Sequence, residues 1–189
     1  MDKQVQRNLI IGIIVGIIVI CLIGGYFLIY NKGQITKQPV ELILSLSDLE
    51  GDYSIEEKTP RLVSDVSEEG INLGWKEGYY VRYARIGDDI FDTTIIEQLI
   101  SIYPIKNITK TLELPREDIE NFKFEEMPSP NIGENSRAFR ITETDEWGEY
   151  RYYQVDFIKE NVYENFYMSG TATDYEMLKE LAQKAEAKI

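Results

Sequence analysis

The sequence predicts an α+β fold, in which helices pack on one face of an antiparallel β-sheet. Several segments alternate apolar and polar residues with the period of a strand, and the C-terminal segment repeats its apolar residues with the period of a helix. Strands and helices do not alternate along the chain, so parallel βαβ units are not expected. One N-terminal helix that spans the membrane is predicted to precede this domain.

An uncharged N-terminal run, residues 9–30, predicts a membrane anchor. As a helix with a rise of about 1.5 Å per residue, its 22 residues would extend roughly 33 Å, enough to cross the hydrocarbon core of a bilayer. A cleaved signal peptide is the alternative, but it has a shorter apolar region that ends in small residues. Lipidation at Cys21 is not expected because Ile20 precedes it. Gly12 and Gly16 have the spacing of a helix-packing motif.

The anchor divides the chain into four segments. We predict a cytoplasmic tail at 1–8, the anchor at 9–30, a polar linker at 31–40 and an extracytoplasmic domain at 41–189. Basic residues flank the anchor equally on both sides, so their charge does not fix its orientation. The short tail favours an orientation with the N-terminus inside and the domain outside. The expected location is the cell membrane, which the chain crosses once.

The strands of the domain are predicted from alternation. The first is expected at 53–63, where Pro60 marks an edge or a bulge because proline has no N–H for the ladder. A turn at 159–161 joins the last two strands as an antiparallel hairpin. The other strands are predicted at 78–86, 93–103, 137–143, 150–159 and 162–169.

Three segments are predicted to be helices. The strongest is 174–189, which begins at Asp174 as a capping residue and carries a stripe of Leu178, Leu181, Ala182 and Ala185. A second helix is predicted at 115–124, because proline at its start and acidic residues in its first turn favour helix initiation. A short third helix is expected at 67–75.

The composition excludes several classes of function. The chain has 33 acidic and 20 basic residues, one cysteine and no histidine, with a net charge of −13. It therefore lacks the histidine of a Ser-His-Asp triad and the thiolates of a zinc cluster. The acidic balance argues against nucleic acid as a partner. We expect no cofactor and no enzymatic activity.

Three motifs resemble those of extracytoplasmic domains with the PsbP-like fold. Residues 46–53 (LSDLEGDY) are similar to the opening motif of such domains, and residues 153–163 (YQVDFIKENVY) are similar to their closing hairpin. Residues 181–185 (LAQKA) resemble part of their last helix. The isoleucine- and glutamate-rich composition looks archaeal. This resemblance implies an antiparallel sheet between helices and an accessory, sensor or carrier role without shared catalytic residues.

Aromatic and arginine side chains crowd the predicted strands and form the candidate binding surface. Tyrosine tolerates half-burial because its ring is apolar and its hydroxyl is polar. Strands with tyrosine on both faces indicate a second aromatic surface, which is either a flat face for a partner or a concave site for a ligand. The alternative is that these aromatic residues only pack the sheet, where they are common. The candidate residues are Trp75, Tyr79, Tyr83, Arg85, Trp147 and Tyr152.

Two further features are candidate sites outside the aromatic surface. Asp88, Asp89 and Asp92 form an acidic cluster that offers oxygen ligands to a hard cation such as Ca²⁺. Their spacing differs from that of the twelve-residue calcium loop, and a solvated turn is the alternative. Asn107 begins a glycosylation sequon, Asn-Ile-Thr.

The sequence therefore predicts a single-pass, membrane-anchored accessory protein that binds a partner without catalysing a reaction. It contacts the bilayer through residues 9–30, and we expect a membrane or surface protein to bind its aromatic sheet surface. A small-ligand or sensor domain with a pocket between sheet and helices is the alternative. A hydrolase with two facing carboxylates is a weaker third hypothesis.

Overall fold

The computed structural model describes residues 35, 37–87, 93–114, 122–146 and 148–189. The predicted anchor at 9–30, with Gly12 and Gly16, lies outside the described residues. The described part of the chain contains no helix that is long and apolar enough to cross a membrane. A compact unit spans Ile35–Ile189.

A seven-stranded antiparallel β-sheet forms the centre of this unit. The strands are β1 (Ser54–Pro60), β2 (Glu77–Ile86), β3 (Thr93–Ile102), β4 (Phe122–Met127), β5 (Asn135–Asp145), β6 (Gly148–Lys159) and β7 (Val162–Gly170). They lie in the order β1-β2-β3-β7-β6-β5-β4, and every neighbouring pair is antiparallel. The contact between β3 and β7 joins the two meanders β1–β3 and β4–β7 into one sheet.

The helices of this unit are few and mostly short. The α-helices are α1 (Pro39–Leu42), α2 (Glu68–Asn72) and α3 (Tyr175–Glu186), and the 3-10 helices are Leu46–Asp48, Val63–Asp65 and Ile108–Glu113. The predicted α+β class is therefore wrong, because the described residues form a mainly β fold. The physical reason is that the described segments between strands contain glycine, proline and capping residues that end their helices after one or two turns.

One of the three helix predictions is wrong in part. The helix predicted at 115–124 should include residues 122–124, but these begin strand β4 and pair with β5. Phe122 and Phe124 lie on one face and alternate with charged neighbours, so pairing with β5 overrides the helical preference of the local sequence. Residues 115–121 lie outside the described part of the chain.

The core lies on one face of the sheet, which we call the helix face. A single row of side chains crosses five strands here, and each of its members is buried: Val81, Gln98, Phe166, Val155 and Ala138. Helix α3 packs on this face through its predicted apolar stripe of Leu178, Leu181, Ala182 and Ala185. At roughly 1.5–3 kcal/mol for each large side chain, this burial is the main source of stability of the fold.

Candidate functional site

The opposite face of the sheet carries a half-exposed surface, which we call the tyrosine face. Strand alternation places its members on the four adjacent strands β2, β3, β7 and β6: Tyr80, Leu99, Tyr152, Gln154, Tyr163, Asn165 and Tyr167. All seven are partly buried, whereas their neighbours along β3 and β7 on the helix face are buried. Leu73, just after helix α2, and residues of the 3-10 helix Ile108–Glu113 pack at the end of this face near Tyr163.

Two tyrosines form the middle of the tyrosine face. The rings of Tyr152 and Tyr167 lie 6.0 Å apart at an interplanar angle of 50°, and the Tyr152 hydroxyl donates to Glu143 Oε2 at 2.5 Å. Burial, together with the nearby carboxylates of Glu97 and Glu143, raises the pKa of Tyr167 to about 12. Both hydroxyls therefore stay neutral at physiological pH. Tyr167 offers a hydrogen-bond donor beside an apolar ring, whereas Tyr152 already donates its proton to Glu143.

A buried carboxylate fixes the amides of this face. Asp156 is fully buried and accepts from Arg137 Nε at 2.8 Å, Gln154 Nε2 at 2.7 Å and Asn165 Nδ2 at 2.5 Å. Since each amide donates to Asp156 through its nitrogen, the orientations of Gln154 and Asn165 are defined. The network makes this part of the surface rigid before any partner binds.

A polar hollow lies at the edge of the tyrosine face, with a volume of about 240 Å³. The Arg61 guanidinium donates from Nη1 to Ser101 Oγ at 2.7 Å and from Nη2 to the Asp65 carbonyl at 2.5 Å. The hollow is also lined by polar side chains from the sheet and from the residue after β3, namely Tyr103, Gln154, Tyr163 and Asn165. The arrangement offers several hydrogen-bond donors to a small polar group.

The predicted surface residues are not all brought together. Tyr152 lies on the tyrosine face, whereas Tyr83 is fully buried in the core and its hydroxyl donates to the Leu44 carbonyl at 2.6 Å. Arg85 lies on the helix face, 5.8 Å from the centre of the Tyr53 ring. Trp75 and Tyr79 line a separate hollow of about 450 Å³. Trp147 lies outside the described residues.

The candidate residues chosen from the sequence do not include Tyr80 and Tyr167, although both belong to the aromatic residues of the predicted strands, and Arg61 was missed. A signal for Tyr167 was present, because Tyr163, Asn165 and Tyr167 alternate with Val162, Glu164 and Phe166 along one strand. Arg61 lies just after an edge strand, and no sequence pattern places its side chain against Ser101 of β3.

Two candidate sites remain, the acidic cluster and the sequon. Asp88, Asp89 and Asp92 lie outside the described residues, and no group of three or more acidic or cysteine side chains within the described ranges is placed to hold a metal ion. The Asn107 amide donates to the Leu73 carbonyl at 2.8 Å.

Comparisons with known proteins show a similarity of fold. No protein-family model matches the chain, and no curated protein matches it significantly. The crystal structure of the extracellular domain of PknH from Mycobacterium tuberculosis is similar with a TM-score of 0.53 and 9% sequence identity, over 77% of this chain and 93% of that chain. At this identity the similarity concerns the fold alone. The comparisons do not address the PsbP-like resemblance, which stays a prediction.

Proposed function

We propose that this chain is a membrane-anchored, extracytoplasmic binding protein without catalytic activity, and that a protein partner binds its tyrosine face. The uncharged run at 9–30 supports the membrane location because its length and composition suit a bilayer anchor. The similarity of the fold to an extracellular domain supports a position outside the membrane.

The observation that carries this proposal is the half-exposure of tyrosine, leucine and amide side chains across adjacent strands. Tyrosine is enriched at protein interfaces because it buries a large ring at a small cost in side-chain entropy, and its hydroxyl still forms a hydrogen bond. The flanking amides are held by Asp156, so little ordering is required when a partner binds.

The chemistry of the face favours binding over catalysis. Its phenols are neutral, and the Asp156 carboxylate beneath it is already occupied by three donors. A general base needs a carboxylate that reaches the substrate with a free lone pair. We therefore assign this surface to recognition.

Capture of a partner from native membranes by the full-length chain tests the proposal. We expect Tyr80→Ser and Tyr167→Ser to reduce the captured partner at least ten-fold, because each removes a ring from the centre of the interface. Tyr79→Ser is the matched control, since Tyr79 is also half-buried on β2 but lies on the other face. Equal loss of capture with Tyr79→Ser and Tyr80→Ser would contradict a specific role for the tyrosine face.

A further inference from the structure

The path of the Arg61 side chain is fixed by the end of β1. The Arg61 amide donates to the Gly78 carbonyl at 3.1 Å, which continues the pairing of β1 with β2 beyond Pro60. The side chain then crosses Gly78, where an added Cβ would lie 3.2 Å from Arg61 Cδ and 2.5 Å from the Ile100 carbonyl oxygen. Glycine at this position therefore allows the guanidinium to reach Ser101 on β3 and enter the polar hollow.

The Arg61 guanidinium has no carboxylate partner among the described residues. The Asp65 carboxylate instead accepts from the Leu62 amide at 2.7 Å and from the Ser64 hydroxyl at 3.1 Å. Only two of the five N–H donors of Arg61 have acceptors within the described ranges, and both acceptors are uncharged. Burial lowers the pKa of this guanidinium from its ordinary value, although Tyr103, Asp65 and Tyr163 nearby act in the opposite direction.

The rest of the lining complements one planar anionic group. Gln154 and Asn165 are held by Asp156, and Leu99 and the Tyr163 ring supply apolar contact beside them. Gly70 of α2 also lines the hollow, and an added Cβ there would lie 3.2 Å from the Tyr103 hydroxyl, so glycine leaves room beside Tyr103. A volume of about 240 Å³ admits a carboxylate with a short carbon chain.

We propose that this hollow binds a carboxylate group, which the planar Arg61 guanidinium receives through two parallel N–H donors. The inference rests on the proposed function, because the hollow is part of the surface offered to a partner, and it names the chemistry that the partner presents there. The carboxylate is that of an acidic side chain of the protein partner, and tighter binding of a small organic acid is the outcome that would contradict this source.

Titration of the full-length chain in phospholipid nanodiscs, followed by NMR of arginine Nε–H groups, tests this inference. The Arg61 resonance is identified by its absence from Arg61→Lys. We expect propionate to shift it in a saturable way, with a dissociation constant at least ten-fold lower than that of propionamide at equal ionic strength. N-acetyl-aspartic acid amide serves as the probe for a protein side chain, and tighter binding of it than of propionate would assign the carboxylate to a protein.

Variants distinguish the site from general charge attraction. Arg61→Gln is expected to abolish the saturable binding of propionate, measured on the backbone amide of Asn165, whereas Arg151→Gln, at an exposed arginine, leaves it unchanged. Equal affinities for propionate and propionamide, or unchanged binding by Arg61→Gln, would overturn the inference. If propionate fails to bind while Tyr80→Ser still abolishes capture, the carboxylate inference alone is wrong. If propionate binds and Tyr80→Ser captures normally, the partner-binding function is wrong.

Discussion

A single buried carboxyl group on the helix face makes the stability of the domain sensitive to pH. Glu164 is fully buried on β7 beside Ile100, and its Oε2 accepts from Gln98 Nε2 at 2.9 Å. The other oxygen, Oε1, is buried without a hydrogen-bond partner in the described part of the chain. Burial raises the pKa of Glu164 to about 8, so the group is protonated in the folded domain near neutral pH.

Glu164→Gln is therefore expected to stabilise the domain increasingly as pH rises. With a raised folded-state pKa, the stabilising contribution of Glu164 is complete below the ordinary glutamate pKa near 4.5 and is lost as pH rises towards 8. The variant should have the higher free energy of unfolding, and its advantage over the original chain should grow by on the order of 1 kcal/mol for each pH unit across this window. Urea unfolding at pH 5, 6.5 and 8 measures this difference in the free energy of unfolding. Glu180→Gln, at an exposed glutamate on α3, is the control, and the same pH profile in both variants would refute the prediction.

Gly170 at the end of β7 is required by a close backbone approach. Its φ is +113°, and an added Cβ would lie 2.1 Å from the Thr93 carbonyl oxygen. Gly170→Ala is expected to destabilise the domain by more than about 3 kcal/mol, because backbone strain and a steric clash act together. Gly148→Ala is the matched control, since its φ is +142° but nothing lies within 4 Å of an added Cβ. Thermal unfolding followed by circular dichroism compares the two, and equal losses would exclude the clash as a cause.

At the scale of elements, strands of strong alternation were predictable and short edge elements were not. The strand predictions at 78–86, 93–103, 137–143, 150–159 and 162–169 are confirmed as β2, β3, β5, β6 and β7. The turn between the last two is confirmed at Glu160, whose φ is +54°, and β1 with its Pro60 is an edge strand as predicted. Strand β4 was missed because a proline and acidic residues just before it resemble a helix start, and only pairing with β5 makes it a strand.

The candidate surface was only partly predictable for a related reason. Alternation places Tyr79 and Tyr83 on one face of β2 and Tyr80 on the other, but both faces carry aromatic residues. Which face is covered depends on where the segments outside the sheet pack, and the Tyr83 hydroxyl donates to the carbonyl of Leu44, 39 positions away in sequence. Tyr83 was therefore assigned to the surface although it is buried in the core.

Helix α3 depends on its N-terminal cap. The Asp174 carboxylate accepts from the backbone amides of Glu176 at 2.8 Å and Met177 at 3.2 Å, which confirms the predicted cap. Asp174→Ala is expected to lower the free energy of unfolding by about 1 kcal/mol, because two amides lose their acceptor. Chemical denaturation measures the change. Gln183→Ala, at an exposed position in the same helix, should have little effect on the free energy of unfolding. If Asp174→Ala lowered this free energy no more than Gln183→Ala does, the capping role would be contradicted.

Across the whole molecule, the C-terminus holds the N-terminal segment of the domain. Lys188 Nζ lies 2.9 Å from Asp48 Oδ2 and donates to the Ile43 carbonyl at 3.1 Å, and Lys184 Nζ donates to the Asp48 carbonyl at 2.8 Å. The hydrogen bond from Lys188 is the main reason that the pKa of Asp48 is lowered to about 2. The final residues of the chain thus stabilise the segment that precedes the first strand.

A double-mutant cycle with Lys188→Met and Asp48→Asn tests this connection. We expect a coupling energy of roughly 0.5–1 kcal/mol at pH 6, because the pair is partly exposed and solvent screens it. Since the folded-state pKa of Asp48 is lowered, its contribution is present above the ordinary value of 3.8 and is lost as pH falls towards 2. Urea unfolding of the four chains of the cycle at pH 6 and pH 3 gives the coupling energy at each pH. A coupling that does not decrease at pH 3 would show that the pair does not act through charge.

The two ends of the described domain also lie side by side. The Ile35 amide donates to Asn161 Oδ1 at 2.6 Å, and both Ile35 and Ile189 pack against the cluster that contains Val162. Domains with adjoining ends tolerate insertion into a surface loop of a host protein, since the two splice points need little separation. Residues 35–189 therefore have the geometry of a transferable cassette, and tension between its ends would act where β3 ends and β7 begins, on two central strands of the sheet.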